Sequence, residues 1–377
     1  MPLRPNALSD LIEVFEMNFR DRGELGASVS VWQDGHELLS LGHGWCEREE
    51  LRAWTTDTMV PVYSATKTPA AACLLLALHQ HGMSEQTLVC EVWPNFPVKQ
   101  ASFAQLLSHQ CGLAALDERV DVFDHEAVVA LIEQQTPYWS LGDGHGYHTR
   151  TYSALVDEPV RRLTGLPLGD FWREEIADPL DLDFWIGLPE REFVRVAKLY
   201  PGKATQNDLA DGFYKALTSS GTFTRKAFAS PQGLHAVNEM NEPKAWQSGL
   251  PALGGVGTAK ALAKFYQAAM GRISGALPES VQQALQSKQS CAEDRVLLRR
   301  TCFTCGAQQD PVDEQGIKLR HIYGSSNLAF GHPGAGGSHA FADPESGISF
   351  AYVMNQMNLS VMPGDKCLKM VEALFEG

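Results

Sequence analysis

The feature of this sequence that most constrains its fold is a run of nine residues without a polar side chain, at positions 70–78. The run reads Ala-Ala-Ala-Cys-Leu-Leu-Leu-Ala-Leu. A helix that is apolar on every face has to be buried on every face, so the chain must build a core large enough to surround it. The run is about half as long as a bilayer span requires, and it therefore predicts a core helix.

The start of this helix is polar and carries Ser64 and Lys67. Pro69 is best tolerated in a first turn, which places the helix start at about residues 64–68. Residues three apart lie on one helix face, so the serine and the lysine can touch. A buried lysine that has lost its charge can take the proton of a serine nucleophile. Ser-x-x-Lys also occurs by chance, and a helix cap with a solvated lysine is the alternative interpretation.

The two ends of the chain carry similar patterns. Each end combines an amphipathic helical stripe with two strand-like segments separated by a turn signal, Asp34-Gly35 in the first pair and residues 343–347 in the second. The predicted helices span about 8–20 and 366–375, and the predicted strands span about 26–33, 37–41, 339–342 and 348–354.

These patterns predict an α/β (α+β) fold with one antiparallel sheet closed by both chain ends and flanked by the terminal helices. We assign residues 1–66 and 320–377 to this sheet part. Residues 67–319 form a mostly helical insertion, which includes a helix from about Ala259 to Met270 with Thr258 as its N-cap. No repeat or low-complexity linker separates the parts, so we expect a single domain overall.

Composition and charge exclude several classes of function. The net charge of −14 over 377 residues disfavours nucleic acid, which needs a basic surface. The N-terminus has no apolar signal core, so we expect no membrane association and, by default, a cytoplasmic location. Eight scattered cysteines give no disulfide framework, and we interpret Cys302 and Cys305 as reduced structural thiols. We expect no metal and no cofactor, because His-Glu-x-x-His is absent and the paired histidines at 79/81 and 145/148 are predicted to lie at a helix end and in a loop.

Three segments in a fixed order resemble a known family. Residues 59–67 read Met-Val-Pro-Val-Tyr-Ser-Ala-Thr-Lys, residues 106–113 read Leu-Leu-Ser-His-Gln-Cys-Gly-Leu, and residues 331–338 read Gly-His-Pro-Gly-Ala-Gly-Gly-Ser. Together they are similar to the motifs of class C-type serine β-lactamases and of the esterases that share their fold. The resemblance implies a β-lactamase/transpeptidase-like fold and an acyl-enzyme on Ser64, with Lys67 as its proton acceptor.

The resemblance also implies a catalytic tyrosine from a Tyr-x-Asn motif, for which Tyr147 and Tyr152 compete. Relatives carry a second aromatic residue five positions after the catalytic tyrosine, and this spacing favours Tyr147. Tyr152 remains the alternative, and either tyrosine could instead be a core aromatic. A tyrosine beside Lys67 would titrate together with it as a coupled pair.

The third motif of the family, usually Lys-Thr-Gly, is His332-Pro333-Gly334 here. The resemblance implies an oxyanion hole formed by the N–H groups of Ser64 and Ala335. It also implies substrate contacts from His332, Gly334 and Thr149. Thr149 replaces the asparagine of Tyr-x-Asn, and His332 replaces the lysine. The two replacements argue against efficient β-lactam hydrolysis and favour a carboxylesterase acting on small acyl esters.

Other functions remain open on the sequence alone. The same machinery could hydrolyse a β-lactam or a D-amino-acid peptide or amide, or transfer an acyl group, so the expected partner is a small-molecule ester or amide. A catalytically silent binding protein of this fold is a hypothesis from another class. Gly-x-Ser-x-Gly and Ser-Asp-Asn are absent, which disfavours an α/β-hydrolase and a class A enzyme. Nothing in the sequence indicates an oligomeric state.

Overall fold

An eight-stranded antiparallel sheet forms the centre of the protein, in a computed structural model that describes residues 3–204 and 210–375. The strand order is β2-β1-β11-β10-β9-β8-β7-β6. The strands of this sheet are β1 (Gly26–Gln33), β2 (His36–Gly44), β6 (Ser290–Glu293), β7 (Arg300–Phe303), β8 (Gln308–Gln309), β9 (Phe330–Pro333), β10 (His339–Asp343) and β11 (Ile348–Met354). A small second sheet has the order β3-β5-β4, with β3 (Val60–Pro61), β4 (Phe184–Ile186) and β5 (Gly255–Gly257).

Helices cover both faces of the large sheet and fill the middle of the chain. The first seven are α1 (Ala7–Asp21), α2 (Lys67–Gln80), α3 (Val89–Val92), α4 (Phe103–Leu107), α5 (His125–Gln134), α6 (Tyr152–Thr164) and α7 (Leu168–Trp172). The others are α8 (Gly212–Thr218), α9 (Phe223–Ala229), α10 (Pro243–Gln247), α11 (Ala259–Ala269), α12 (Glu279–Gln286) and α13 (Asp365–Phe375).

The sheet predicted from the two chain ends is confirmed. Its first hairpin turns at Asp34 and Gly35, which have φ of 47° and 84° and so form the kind of turn that a right-twisted hairpin favours. Strand β1 from the N-terminal hairpin pairs directly with β11 from the C-terminal one, Ala27 opposite Met354. The chain ends therefore close one sheet.

Strand alternation explains how this sheet carries helices on both faces. Adjacent residues of a strand point to opposite faces. On β11, Ser349 donates a hydrogen bond to Ala263 of α11, while Phe350 contacts Phe341, whose ring reaches Phe375 of α13. Helix α11 also begins as predicted, because the Thr258 hydroxyl accepts the N–H of Ala261.

The boundary drawn at residue 319 is corrected by the strand order. Strands β6 to β8, at residues 290–309, extend the large sheet, and α11 packs on its face. All of these elements lie inside the range 67–319 that we assigned to the helical insertion. Their strands are two to four residues long, too short to show the alternation by which a strand is recognised.

The interpretation of Cys302 as a reduced thiol is also wrong in this structure. Cys302 forms a disulfide with Cys291, which lies directly opposite it on the β6–β7 hairpin. Cys305 is buried and free, as expected of a structural thiol. Sequence spacing did not reveal the Cys291–Cys302 pair, because strand register brings the two residues together. Among the described residues, no helix is long and apolar enough to cross a bilayer.

A buried ion pair joins the N-terminal and C-terminal parts of the chain. Lys366 of α13 lies 3.1 Å from Glu24, and the same carboxylate accepts a hydrogen bond from Tyr352 of β11. Burial raises the pKa of Glu24, and the ammonium of Lys366 opposes that rise. The carboxylate can therefore be buried only because its partners accompany it.

We expect Lys366→Met to lower the free energy of unfolding by about 3 to 5 kcal/mol, because it leaves a buried carboxylate without its cation. Without its cation, Glu24 has a higher pKa in the folded state than in the unfolded state. The decrease in the free energy of unfolding should therefore grow as the pH rises through the weakly acidic range, where the unfolded state gives up this proton more readily. Urea unfolding followed by circular dichroism measures both effects. The double variant Glu24→Gln/Lys366→Met should recover part of the stability. A loss below about 1 kcal/mol at neutral pH would contradict this account.

Candidate active site

Ser64 stands where the small sheet meets the helical layer. Strand β3 leads through Tyr63, whose φ is 49°, into a single 3₁₀ turn at Ser64–Thr66, and α2 follows from Lys67. A non-glycine residue rarely adopts a positive φ, so Tyr63 is held in a strained conformation directly before the serine. The Ser64 side chain lies at the border of a cavity, while the rest of α2 up to Leu78 is buried. The predicted apolar helix with an accessible polar start is confirmed.

Lys67 is completely buried, and two backbone carbonyls hold its amine. Its Nζ donates to the carbonyl of Thr149 at 3.0 Å and to that of Ala252 at 2.8 Å. Burial lowers the pKa of Lys67 well below its usual value, and the positive charge of Arg150 lowers it further. The ammonium form is therefore disfavoured, as a lysine base requires.

Tyr147 and Tyr152 both lie beside this amine, but only one of them reaches the cavity. Lys67 Nζ is 4.8 Å from the ring centre of Tyr147 and 5.4 Å from that of Tyr152. Tyr147 lines the cavity together with Ser64. Burial raises the pKa of Tyr147, and hydrogen bonding with Ser64 opposes that rise. Tyr152 is fully buried at the start of α6, and its hydroxyl has no hydrogen-bond partner in the described part of the chain. The geometry favours Tyr147.

His332 lies on β9 and lines the cavity, and Gly334 follows directly after this strand but is not among the residues that line the cavity. His332 is buried, with Nδ1 2.8 Å from its neighbour's carbonyl at Pro333 and Nε2 3.5 Å from the Tyr147 hydroxyl. Burial lowers the pKa of His332 to about 3, so its ring is neutral at physiological pH. A neutral histidine cannot supply the positive charge of the lysine it replaces.

Gly334 allows the backbone after β9 to approach the strand before Ser64. A Cβ at this position would stand 2.1 Å from the carbonyl oxygen of Val62, so no larger residue fits without a backbone shift. Ala335 follows and borders the same cavity as Ser64. The N–H of Ser64 opens a 3₁₀ turn and has no acceptor within it. Within residues 3–204 and 210–375, no backbone hydrogen bond uses the N–H of Ala335 either.

Thr149 borders the cavity, but its backbone makes the main contact. Its carbonyl accepts the Lys67 amine, while its hydroxyl lies 3.5 Å from the carbonyl of Tyr147. The sequence comparison drew attention to the side chain at this position. The contact with Lys67 is made instead by the main-chain carbonyl oxygen of Thr149, an atom that every residue type carries.

Two further contributors could not be found from the sequence. Ala252 supplies a carbonyl to the amine of Lys67, and a main-chain acceptor has no sequence signature. Arg150 is buried, lines the cavity, and donates hydrogen bonds to the carbonyls of Pro231, Gly233 and Leu234. Its guanidinium fixes the loop that borders the site and adds positive charge near Lys67.

The cavity beside Ser64 has a volume of about 580 Å³ and is mostly apolar. Among the described residues, no aspartate or glutamate lines it. This size and character suit a small organic molecule held by a few polar groups. The apolar side chains along its walls include Leu217, Phe228, Leu234, Leu297, Met357 and Val361.

Comparison with known proteins assigns the family. The sequence pattern of the Beta-lactamase family matches residues 13–366 of this chain. The chain belongs to the Beta-lactamase family. This protein is also 29% identical over 362 residues to the esterase/beta-lactamase LipL of Mycobacterium tuberculosis, covering 92% of this chain and 81% of LipL.

Solved structures confirm the β-lactamase/transpeptidase-like fold. A penicillin-binding protein homologue from Caulobacter crescentus is 30% identical, with a TM-score of 0.83 and coverage of 99% of this chain and 98% of that one. A family VIII carboxylesterase is 27% identical, with a TM-score of 0.85 and coverage of 99% and 98%. This Beta-lactamase-family protein is thus similar over nearly its whole length both to an esterase and to a penicillin-binding protein homologue.

The two tyrosines can be separated by one experiment in this Beta-lactamase-family protein. We expect Tyr147→Phe to slow covalent labelling of Ser64 by a fluorophosphonate by about 100-fold or more, because the hydroxyl that contacts Ser64 is removed. Tyr152→Phe is the matched control and should stay within about two-fold of the wild type, since its hydroxyl has no partner to lose. Labelling rates followed by intact-protein mass spectrometry decide between them. A larger loss in the Tyr152 variant would reverse the assignment.

Proposed function

We propose that this protein is a serine hydrolase that forms an acyl-enzyme on Ser64, and that it acts as a carboxylesterase on small esters with apolar groups. The observation that carries the proposal is the environment of Lys67. A neutral amine has two N–H bonds and one lone pair. The carbonyls of Thr149 and Ala252 take two hydrogen bonds from it, so the lone pair stays available to accept a proton.

The pKa shifts support a neutral pair before the reaction. Burial raises the pKa of Tyr147 above its usual value, so the phenol keeps its proton. The same burial lowers the pKa of Lys67, so the amine lacks one. This combination favours Lys67 as the base and Tyr147 as the group that passes a proton on.

Acylation then follows from the arrangement of these groups. Ser64 Oγ bonds to the ester carbonyl carbon as its proton moves to the Lys67 amine. The electron pair of the carbonyl moves to its oxygen, which the N–H groups of Ser64 and Ala335 stabilise by about 3 kcal/mol for each donor. When the tetrahedral intermediate collapses, the bond to the alcohol breaks and the Tyr147 hydroxyl donates a proton to it. Tyr147 regains a proton from the Lys67 ammonium.

Deacylation repeats these steps with water in place of the serine. Water gives one proton to the Tyr147–Lys67 pair and bonds to the acyl carbon. Collapse of the second intermediate releases the carboxylic acid and returns the proton to Ser64 Oγ. Both half-reactions leave the protein in its initial protonation state.

The cavity and His332 support an ester as substrate. The walls beside Ser64 are apolar, and they can bury an acyl chain or an apolar alcohol group. His332 is neutral and leaves no cation at the position where related enzymes carry a lysine. We therefore propose weaker binding of substrates that need a cation for their carboxylate, which β-lactams do.

Ser64→Ala tests the nucleophile. We expect it to abolish hydrolysis of short-chain p-nitrophenyl esters and to prevent fluorophosphonate labelling, because no other group replaces the attacking oxygen. Ser338→Ala, which removes a buried hydroxyl on the loop after Gly334, is a control that should still be labelled.

The wild type should also be compared on a panel of esters, nitrocefin and D-amino-acid amides by kcat/KM. A higher kcat/KM for nitrocefin than for any ester would contradict the esterase proposal and would favour β-lactamase activity instead. Failure of the wild type to label at Ser64 would favour the catalytically silent protein.

The pH profile should follow from the lowered pKa of Lys67. The amine is active when neutral, so kcat/KM is expected to be already maximal at neutral pH and to fall on the acidic side as Lys67 takes up a proton. His332 should not contribute, because its pKa of about 3 keeps it neutral. Rates measured between about pH 5 and about pH 9 test this. A rate that rises steadily toward the ordinary pKa of lysine would contradict the assignment.

The cytoplasmic location expected from the sequence stays a prediction. Disulfides persist mainly in oxidising compartments, so the Cys291–Cys302 bridge weighs against that location. Fractionation of the native cells, with the disulfide state read by thiol alkylation, addresses both points.

A further inference from the structure

A buried carboxylate outside the cavity connects the proposed catalytic tyrosine to the wall of the cavity. Asp294 is 2% exposed and begins the loop between β6 and β7. Its Oδ1 accepts three backbone N–H groups, from Tyr147 at 3.1 Å, Val296 at 2.8 Å and Leu297 at 2.8 Å. Two of these residues, Tyr147 and Leu297, line the cavity beside Ser64.

The second oxygen of Asp294 accepts the last hydrogen bond of a chain that links the segment before Tyr147 to strands β6 and β7. Thr301 donates to Oδ2 at 3.2 Å, and its hydroxyl lies 2.7 Å from His145 Nε2. His145 Nδ1 is 2.6 Å from the hydroxyl of Ser290. All three hydrogen bonds can form when His145 is neutral and protonated on Nε2. Burial lowers the pKa of His145 to about 4, which favours this neutral form. His145, two residues before Tyr147, is thus fixed to both strands of the hairpin.

Other contacts hold the Tyr147 segment on this hairpin. The N–H of Arg295 donates to the carbonyl of His145 at 3.2 Å. The ring of Phe303 lies parallel to that of Tyr147, with centres 6.1 Å apart and an interplanar angle of 8°. The loop that carries Tyr147 has no helix or strand of its own between residues 135 and 151, so its position depends on such contacts.

We propose that Asp294 is a positioning residue for the reaction on Ser64: its Oδ1 holds the backbone of Tyr147 and that of Leu297 at a fixed separation. The phenol therefore meets the serine while the cavity wall holds the substrate. This inference rests on the proposed function. A misplacement of about 1 Å at a catalytic group can cost about 100-fold in rate, so the effect of losing the contact should be measurable.

A purely local role for Asp294 has to be distinguished from this one. The bonds to Val296 and Leu297 form a turn of the kind that aspartate and serine both stabilise with their own side chains. The bond to Tyr147 crosses 147 positions of sequence and needs the longer reach of a carboxylate. Asp294→Ser keeps an acceptor for the local turn but is one atom too short for the Tyr147 N–H. Asp294→Asn keeps an oxygen at the Oδ1 position and serves as the conservative rescue.

The experiment compares both variants with the wild type in fluorophosphonate labelling of Ser64 and in ester hydrolysis. We expect Asp294→Ser to lower the labelling rate and kcat by about 10- to 100-fold. Asp294→Asn should stay within about three-fold of the wild type, because its carbonyl oxygen can accept the same N–H groups. KM should change less than kcat in Asp294→Ser, since the ester reaches a cavity that is still present.

Asp157→Ser is the matched control for stability, since it removes another buried carboxylate that accepts a backbone N–H, that of Leu168, outside the site. It should lower the thermal midpoint without lowering the labelling rate of the folded protein. All variants are compared at a temperature at which circular dichroism shows them folded.

Equal labelling rates in the wild type and Asp294→Ser would overturn the inference, as would an equal loss in Asp294→Asn. Should Asp294→Ser fail to fold, the Asn variant alone decides, since a loss greater than about ten-fold contradicts the role of Oδ1. A wild type that is not labelled at Ser64 would instead contradict the proposed function, so the two failures can be told apart.

Discussion

The proposed chemistry depends on a buried amine on whose pKa no carboxylate of the described residues acts. Lys67 has no accessible surface, and the charge that acts on it most is another cation, Arg150. Burying a charged ammonium in this way would cost several kcal/mol, so burial lowers the pKa of Lys67 and favours the neutral amine. The apolar helix α2 supplies the burial, and the carbonyls of Thr149 and Ala252 satisfy the N–H groups without restoring the charge. A paired carboxylate here would stabilise the ammonium and remove the base.

Three separate parts of the chain have to meet around this amine. The start of α2 brings Ser64, the loop before α6 brings Tyr147, and the end of β9 brings His332. Close approach of the backbones makes this possible, since only glycine fits at position 334 against the carbonyl of Val62. The loop that carries Tyr147 is irregular, and the β6–β7 hairpin contacts it through Asp294 and Phe303. The strands missed from the sequence are thus the ones that support the site.

The departure from the family motif at His332 leaves a neutral ring in the cavity where the motif has a lysine. His332 is neutral, and its Nε2 lies 3.5 Å from the Tyr147 hydroxyl, so it adds a polar contact without a charge. Around it the cavity walls are mostly apolar and, among the described residues, carry Arg150 and Arg225 but no carboxylate. Family membership alone does not decide between ester, amide and β-lactam, because the relatives include an esterase and a penicillin-binding protein homologue. The proposal of an ester substrate rests on the absence of a cation at position 332.

The sequence alone determined the parts of the protein that depend on local pattern. The apolar run at 70–78, the terminal helices and the two hairpins were all predictable, because periodicity and turn residues act over a few neighbours. The order of three motifs identified the family. Only the tertiary structure decided the rest: the disulfide partner of Cys302, the place of residues 290–309 in the large sheet, and which of Tyr147 and Tyr152 borders the cavity. Each of these depends on strand register, backbone carbonyls or the burial of a hydroxyl, which arise from contacts between residues far apart in the chain.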